Sequence, residues 1–401
     1  MEEFRKFINE YYSRLSQQTQ KSIDDAVEVI VSQKELGKKI MVITGSGPNL
    51  HEGVTTIISE LMHKGIIDSV STSSAVIAHE LAGALDRVHR VNGLGLGFKS
   101  KDLPRGDIFE LTHLSSDELD ALEKEMPLDR ELISRGMKLT GKDIIKAAGN
   151  MAYPMGLRTE RISREILSFS KIFGVSFEQV AGWGADPKTM IGAGAVNNLP
   201  VLVSVPQLIG GGGVGLAVGD SLSITERCSR IAKMIDESDV LIESAIALTQ
   251  EIHDGPFETF TGHGIWSDWD GGPSARLEGK NLIRIDLDPQ LKKAWDLERA
   301  GSTIQMAIDK GLPKTKLTGI PFRMEMSGFA RLETSLPIIG DIGLVWPILG
   351  FKVAERLGIQ LAYISHPQDT TEGQQFRDWI VNNVKPFSKE KAFQKTRRWR
   401  K

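Results

Sequence analysis

The spacing of apolar and polar residues changes several times along the 401-residue chain. Through the first 38 residues the apolar side chains recur at helical spacing, and Gly37 is placed to end that helix. The period then shortens at 39–44, KIMVIT, a β-branched apolar run typical of a buried parallel strand. The pattern therefore predicts a helical start followed by a sheet that is covered on both faces.

Short apolar runs and amphipathic stretches then alternate over most of the chain. Helices are predicted at about 52–64 and 75–88, and strands at 66–71, 200–205, 239–242, 282–286 and 336–339. Strands that alternate with helices of ~10–15 residues form βαβ units. We therefore expect an α/β fold with a doubly wound, mostly parallel sheet, in which ligands bind beyond the carboxyl ends of the strands.

Two segments depart from this alternation. Residues 92–185 are rich in charge, mostly helical in pattern and without a convincing buried strand, so we interpret them as a helical insertion. The last 17 residues carry eight Lys/Arg and one Glu. We expect this tail to be solvated, to dock on an acidic partner or RNA, or to fold against its own domain through its aromatic residues. The domain prediction is one nucleotide-binding domain over 1–384 and a basic tail over 385–401.

Composition narrows the class of protein. The chain holds 49 Lys+Arg and 52 Asp+Glu, so binding of nucleic acid through bulk charge is not expected. No apolar run reaches the ~18 residues of a transmembrane helix, and the polar N-terminus resembles neither a signal peptide nor a transit peptide. The single cysteine, Cys228, excludes an intrachain disulfide and a Cys-based zinc site. We expect a cytoplasmic protein with no membrane partner and no specific nucleic-acid partner.

The first candidate site is the loop TGSGPN at 44–49, which follows the first strand. Gly45 and Gly47 let the backbone approach a ligand, the helix that begins here presents N–H groups to an anion, and Ser46 and Asn49 add hydrogen bonds. The functional interpretation is phosphate or dinucleotide binding. An ordinary strand-to-helix turn explains the same residues.

The second candidate loop, STSSA at 71–75, follows the next strand. Ser73 and Ser74 suit contacts with ribose or phosphate, or either can cap the helix that begins there. His79 lies about one turn into that helix.

A run of four glycines, 210–213, is the most unusual local feature. Because glycine loses so much conformational freedom on folding, we predict that 209–220 is a ligand-binding loop that includes Gly211 and Gly212. Asp220 is a candidate for binding a ribose hydroxyl or a substrate ammonium, with N-capping of the next helix as the alternative.

Acidic residues dominate the remaining candidate sites. Residues 251–279 bring together acidic and aromatic side chains, which suit a cationic amine or amino acid through charge pairing and cation–π contact. His253 and His263 match no established spacing of metal ligands, so no metal site is predicted. Asp286 and Asp288 end the strand at 282–286, where an acid commonly accepts ribose hydroxyls, although Asp288 also suits a turn before proline.

Four segments, in this order, resemble the deoxyhypusine synthase-like superfamily of NAD-binding α/β proteins: ITGSGPNLHEG at 43–53, LMHKGIID at 61–68, STSSAVIAHEL at 71–81 and IIGDIGLVWP at 338–347. Within it, IDLDP at 285–289 makes the chain most similar to the branch of archaeal-type ornithine cyclodeaminases and the lysine-ketoglutarate reductase–saccharopine dehydrogenase-associated C-terminal domain. MSGFA at 326–330 stands where true deoxyhypusine synthases carry a catalytic lysine.

The resemblance implies NAD as a cofactor and a homodimer or homotetramer, because relatives build sites between subunits. It implies that NAD is held by residues of the loops after the strands: Gly45, Ser46, Gly47, Asn49, Ser73, Ser74, Asp286, Asp288 and Asp341. Gly211 and Gly212 are added as cofactor-binding candidates from the glycine run itself, which does not closely match the pattern of that branch. The ammonium group of a small cationic amine or amino-acid substrate is assigned to Asp220, Glu251 or Asp254. The candidates for moving protons are Lys188, His79 and His253.

The leading functional hypothesis is an enzyme that takes a hydride from a carbon bearing an amine and returns it after deamination or cyclisation. The conversion of ornithine to proline is the version that the resemblance implies. Two alternatives stay open: an aminobutyl transferase like deoxyhypusine or homospermidine synthase, and a non-catalytic sensor of NAD or another nucleotide.

Overall fold

The computed structural model of the protein describes residues 2–149, 152–203, 212–244, 277, 279–286, 306, 309–311 and 335–399. The strands in these residues are β1 (Ile40–Thr44), β2 (Ser69–Thr72), β3 (Leu85–Asn92), β4 (Ile108–Thr112), β5 (Gly141–Ala147), β6 (Val201–Val203), β7 (Val240–Ser244), β8 (Asn281–Asp286) and β9 (Ser335–Ile339).

Six of these strands form one parallel sheet with the order β6-β2-β1-β7-β8-β9. The chain starts at the centre with β1, moves outward through β2 to β6, and returns to the other side of β1 with β7. Counted along the sheet alone, this is the order 3-2-1-4-5-6 of dinucleotide-binding α/β folds. The predicted fold class, a doubly wound α/β fold with a parallel sheet, is therefore confirmed, and the strand order reverses between β1 and β7.

Helices cover both faces of this sheet, and further helices accompany the antiparallel strands. The described helices are α1 (Glu2–Ser13), α2 (Gln17–Glu35), α3 (Ser46–His51), α4 (Val54–His63), α5 (Ser74–Ala82), α6 (Ser116–Glu125), α7 (Arg130–Lys138), α8 (Met155–Phe173), α9 (Phe177–Gly184), α10 (Met190–Asn197), α11 (Gly212–Ser221), α12 (Ile224–Asp236), α13 (Ile342–Arg356), α14 (Thr371–Asn383) and α15 (Lys389–Trp399). Across the described part of the chain, none combines the length and the apolar character needed to cross a bilayer.

Strand β1 shows why the central strands of the sheet have continuous apolar sequences. Alternate side chains of a strand point to opposite faces, and all five residues of β1 are buried. Ile40 and Val42 belong to the larger core, which also contains side chains of α2, α4 and α13, while Met41 and Ile43 pack with α12 in a second core. Burial on both faces leaves no polar alternation in the sequence.

The segment 92–185 contains the helices α6 to α9, but the expectation that it lacks strands is wrong, because β4, β5 and the end of β3 form a three-stranded antiparallel sheet. The buried residues of β3 are Leu85, Val88 and Val91, a spacing of three that imitates a helix. The predicted helix at 75–88 therefore ends early, at Ala82. Polar side chains of this sheet pair between strands: Nζ of Lys146 in β5 forms an ion pair with Glu110 of β4 at 2.7 Å.

The prediction of a loop at 209–220 is wrong from Gly212 onwards, because helix α11 begins at Gly212 and runs to Ser221. Ser223 caps the following helix, with its Oγ accepting from the backbone N–H of Glu226 at 3.1 Å, so Asp220 is not that cap. Glycine is unfavourable inside a helix, but it allows close approach of a neighbouring element, and α11 packs along α8. Residues 204–211 lie outside the described part of the chain.

The basic tail folds against its own domain, which was one of the three alternatives. The ring of Phe387 is buried, and the backbone N–H of Ser388 donates to the carbonyl of Gly184 at 2.8 Å. A Cβ on Gly184 would overlap that ring. Helix α15 is further held by the ion pair of Lys389 with Glu165 at 2.8 Å. The expectation of a tail free of its own domain is therefore wrong for residues 385–396, although several of their side chains are exposed.

Candidate functional site at the carboxyl edge of the sheet

Side chains tie the loop after β1 to the end of β7. Asn49, fully buried in α3, donates from Nδ2 to the carbonyl of Gly45 at 2.6 Å. Its Oδ1 accepts from Oγ of Ser244 at 2.8 Å, and Trp346 Nε1 donates to the same Oγ at 2.8 Å. Because Ser244 ends β7, Asn49 holds the loop at the reversal of strand order. Its amide is thus engaged within the protein.

Gly47, in the same loop, has no steric reason for being glycine. Its φ is not positive, and a Cβ built on it would meet no atom of the described residues within 4 Å. Gly45, just before it, is in an extended conformation that any residue adopts (φ −159°). Open space therefore lies beside the backbone at the carboxyl end of β1, where parallel doubly wound sheets bind ligands. The side chain of Ser46 is outside the described part of the chain.

Two hydroxyls are buried without a partner at the ends of β1 and β2. Thr44 and Thr72 stand opposite each other at the last paired positions of these strands. Both residues are fully buried, and neither Oγ1 has a hydrogen-bond partner among the described residues. Buried polar groups in native proteins are nearly always satisfied by protein, water or ligand. These hydroxyls therefore point to a further polar group at this edge.

The serines after β2 have different surroundings. Ser73 caps α5, with its Oγ accepting from the backbone N–H of Val76 at 3.3 Å. Ser74 is fully buried in the first turn. The capping alternative is thus observed for Ser73.

A cavity of about 540 Å³ opens beside α5. Its walls come from α5, β4, the start of α8 and the first turn of α11, and its lining includes His79, Phe109, Tyr153, Glu160 and Gly212. Cavities of this size accommodate small organic ligands, with a few polar groups to orient them. Here an imidazole, a phenol and a carboxylate are the main polar side chains.

His79 is arranged to accept a proton. Its Nδ1 lies 2.6 Å from the carbonyl oxygen of Ala148. Because a carbonyl only accepts, Nδ1 carries the hydrogen and Nε2 keeps a lone pair. Burial is the main cause of a lowered pKa of His79, and the charge of Lys146 lowers it further. His79 is therefore a neutral imidazole at neutral pH, which suits a general base.

Glu160 explains two of the glycines that begin α11. A Cβ on Gly212 would come within 2.6 Å of Oε1 of Glu160, and one on Gly213 would overlap Oε2. Gly212 also has a φ of +59°, which favours glycine. Among the described residues, no lysine or arginine forms an ion pair with Glu160, so its charge faces the cavity and the start of α11. A carboxylate in that position favours a cationic ligand.

Asp86 lies behind the cavity wall. One of its carboxylate oxygens accepts from the backbone N–H of Gly149 at 3.1 Å, and Gly149 itself lines the cavity. Burial raises the pKa of Asp86 to about 7. The group can therefore hold or release a proton near neutral pH.

Two sequence candidates lie away from the cavity. Lys188 follows Pro187, whose carbonyl accepts from Nε2 of His63 at 2.6 Å. His63 ends α4, so Lys188 lies at the amino-terminal edge of the sheet, opposite the loops described above. Asp220 is exposed in the last turn of α11 and pairs with Lys171 of α8.

The last-strand candidate lies at the carboxyl edge but three strands from β1. Asp341 caps α13, with Oδ1 accepting from the backbone N–H of Gly343 at 2.8 Å. It lies near Glu52, whose pKa is raised mainly by burial and further by the charge of Asp341. Asp286 ends β8, and its side chain is not described. Five candidates fall outside the described residues: Gly211, Glu251, His253, Asp254 and Asp288.

Sequence reasoning missed Tyr153, Glu160 and Asp86. Asp86 lies in a strand of the antiparallel sheet, which was not anticipated, and Tyr153 and Glu160 lie in a segment that was predicted only as mostly helical; no local motif marks any of the three. Thr44 and Thr72 carry a weak signal, since each is a polar β-branched residue at the end of a buried run.

The strand order and its carboxyl-edge loops define a doubly wound α/β protein with a candidate site at the reversal. No protein-family model and no curated protein matches the chain. Solved structures do match, among them ArgZ, an arginine dihydrolase of the ornithine-ammonia cycle in cyanobacteria. That match has 12% identity and a TM-score of 0.37, and covers 83% of this chain and 31% of ArgZ.

Two further solved structures match with similarly low sequence identities and TM-scores. AgrE, solved as a ternary complex with ornithine and NAD+, has 12% identity and a TM-score of 0.42 over 85% of this chain and 34% of AgrE. A LOR/SDH protein from Methanococcus maripaludis S2 has 11% identity and a TM-score of 0.37 over 84% of this chain and 68% of that one. The chain thus spans about a third of the length of ArgZ and AgrE. At this identity and TM-score, the likeness assigns neither a family nor an activity.

Proposed function

We propose that the chain is an NAD-dependent enzyme that acts on a small cationic amine or amino acid. The observation that carries the proposal is the order β6-β2-β1-β7-β8-β9, which places the glycine loop after β1 at the reversal where doubly wound folds bind dinucleotides. The resemblance of the loop sequences to an NAD-binding superfamily supports the same cofactor.

The residues at this edge fit NAD. The open space at Gly47 allows a ligand to approach the backbone, and the unpaired hydroxyls of Thr44 and Thr72 offer hydrogen bonds to it. Asn49 holds the loop in place through Gly45 and Ser244. Ser73 and Ser74 begin the next helix at the same edge. Asp286 and Asp288, after β8, stay proposals for the ribose contacts.

The cavity beside α5 supports a cationic substrate. The carboxylate of Glu160 would pair with an ammonium group, and Nε2 of His79 would accept a proton from it once the amine is bound. Bound NAD would supply a hydride acceptor for the carbon that bears the amine and would return the hydride later. Ornithine is the substrate that the sequence resemblance implies, and one of its two ammonium groups would pair with Glu160.

An aminobutyl transferase is less well supported, because imine formation needs a lysine at the substrate. The described lining of the cavity contains no lysine, and Lys188 lies at the opposite edge of the sheet. A homodimer or homotetramer stays a prediction, which native mass spectrometry of the purified protein would test together with any co-purified NAD.

Binding of NAD is tested with Gly47→Leu. A Cβ at this position meets no described atom within 4 Å, so a side chain can start there, and it would extend into the space assigned to the cofactor; circular dichroism checks that the variant folds. Gly219→Leu is the matched control, because Gly219 is also a helical glycine with no atom within 4 Å of its Cβ. Calorimetric titration and thermal shift with NAD, then with its reduced form NADH, report affinity for each protein.

We expect wild type and Gly219→Leu to bind NAD, and Gly47→Leu to bind it at least tenfold more weakly. At a concentration near 100 times Kd, ligand should stabilise a binding protein by about 2.7 kcal/mol. Absence of NAD binding by the wild type would refute the proposal. Because the proposed reaction returns the hydride, turnover is followed as release of ammonia from ornithine, lysine or arginine. Binding of NAD without such release would favour the sensor hypothesis instead.

A further inference from the structure

We propose that His89, His113 and Asp143 bind a divalent first-row transition-metal ion, for which zinc is the best match. The site belongs to the antiparallel sheet, and none of its three residues lines the cavity beside α5. It therefore stands independently of the proposed NAD-dependent activity.

Strand register brings the three side chains to one face of the sheet. His89 of β3 stands opposite Asp143 of β5 on one side and opposite Leu111 of β4 on the other. His113 is two residues beyond Leu111, so its side chain points to the same face. The backbone N–H of His113 donates to the carbonyl of Arg87 at 2.9 Å, which continues the pairing and holds the residue in place.

The donor atoms are close enough to share an ion. Nδ1 of His89 lies 2.7 Å from Oδ1 of Asp143, and Nε2 of His113 lies 3.0 Å from the same oxygen. All three donor atoms lie within 4.8 Å of one another. Ligands at ~2.1 Å from a tetrahedral zinc ion are about 3.4 Å apart, so the two nitrogens need to move away from Oδ1 of Asp143 by about 0.7 and 0.4 Å.

Surrounding groups orient His89 as a ligand. Its Nε2 lies 3.0 Å from the carbonyl of Leu139 and donates to it, so Nδ1, which faces Asp143, is the nitrogen available to a metal. Such a second hydrogen bond is the usual partner of a metal-bound histidine. Gly141 makes room for the ring, since a Cβ there would lie 2.8 Å from its Cε1 and Nε2.

The donor set selects the kind of metal. Two imidazoles and one carboxylate suit zinc and its neighbours, whereas calcium and magnesium prefer oxygen ligands alone. Among the described residues, no lysine or arginine forms an ion pair with Asp143, so no cation of the protein competes with the metal. The side chains of His113 and Asp143 are 30% and 52% exposed, which lets water complete the coordination.

Metal content and affinity test the site directly. The chelator-treated full chain is titrated with zinc and, separately, with cobalt(II), whose visible absorption reports four-coordinate binding. The variants are His113→Ala, which removes a ligand, and Asp143→Asn, which keeps the shape of the side chain. His63→Ala is the control, because His63 is a half-buried histidine that hydrogen-bonds to Pro187 away from the site.

We expect one zinc per chain in the wild type and in His63→Ala, with a raised melting temperature on addition of zinc. Each site variant should bind zinc at least tenfold more weakly and lose that rise. If His113→Ala fails to fold, as judged by circular dichroism, Asp143→Asn decides the outcome. Less than stoichiometric zinc in the wild type would overturn the proposal, and so would equal affinity in the folded variants, which would place the ion elsewhere.

Discussion

Replacing Asn49 by alanine tests how the loop after β1 is held against β7. The change removes two short hydrogen bonds, to the carbonyl of Gly45 at 2.6 Å and from Oγ of Ser244 at 2.8 Å. Asn49, Gly45 and Ser244 are all buried, so water cannot replace the amide. A buried group left without a partner costs ~1–3 kcal/mol. Two such groups, with a small cavity, should lower the free energy of unfolding by about 3 kcal/mol.

Urea unfolding followed by circular dichroism measures this loss, and NAD titration measures the effect on the loop. Asn197→Ala is the control, because Asn197 is exposed and its Nδ2 bonds only to the carbonyl of Ala193 and to His63. The control should change stability by no more than ~0.5 kcal/mol. If Asn49→Ala is as stable as this control, the tie between β1 and β7 has been overestimated. If it is less stable but binds NAD as the wild type does, the loop does not need that tie to bind the cofactor.

Three further substitutions, at Thr72, Asp86 and Gly184, test the hydroxyls at the sheet edge, the buried carboxyl behind the cavity and the packing of the tail. Thr72→Val removes a buried hydroxyl that has no hydrogen-bond partner among the described residues, so the free energy of unfolding should stay the same or rise while NAD titration shows weaker binding; equal affinity would remove Thr72 from the site. Burial raises the pKa of Asp86 to about 7, so the folded state holds this proton more tightly and stability falls as pH rises from about 4 to 7. In Asp86→Asn the free energy of unfolding should fall less over that pH range, by up to about 4 kcal/mol, because the titrating group is gone. If the variant shows the same pH dependence of unfolding as the wild type, the raised pKa of Asp86 is contradicted. Gly184→Ala would overlap the ring of Phe387, so limited proteolysis should release α15 sooner than in wild type; equal rates would show that the ring can move aside.

The central sheet was predictable because burial on both faces leaves a local mark in the sequence. The run at 39–44 predicts a strand, and β1 occupies Ile40–Thr44 with every residue buried. The same reasoning fails for β3, whose buried residues recur every three positions and imitate a helix. It also fails for α11, because the close approach of Glu160 to Gly212 and Gly213 cannot be seen in a run of glycines.

The residues of the candidate sites also fall into two groups: those that the local sequence marks and those that only the packing brings together. The glycine and serine loops that follow β1 and β2 are contiguous in sequence, so their residue types alone mark them as candidates for ligand contacts. Glu160 and His79 come from different elements, as do His89, His113 and Asp143. Such groups meet only when the packing of α8 and the register of the antiparallel strands bring them together.

Sequence alone was sufficient for the fold class and for the loops at the carboxyl edge, because both follow from local periodicity and from the order of elements along the chain. The reversal between β1 and β7, the cavity beside α5 and the histidine–aspartate cluster required the tertiary structure. Their physical basis is long-range pairing of strands and packing of helices, which place residues tens to hundreds of positions apart within hydrogen-bonding distance.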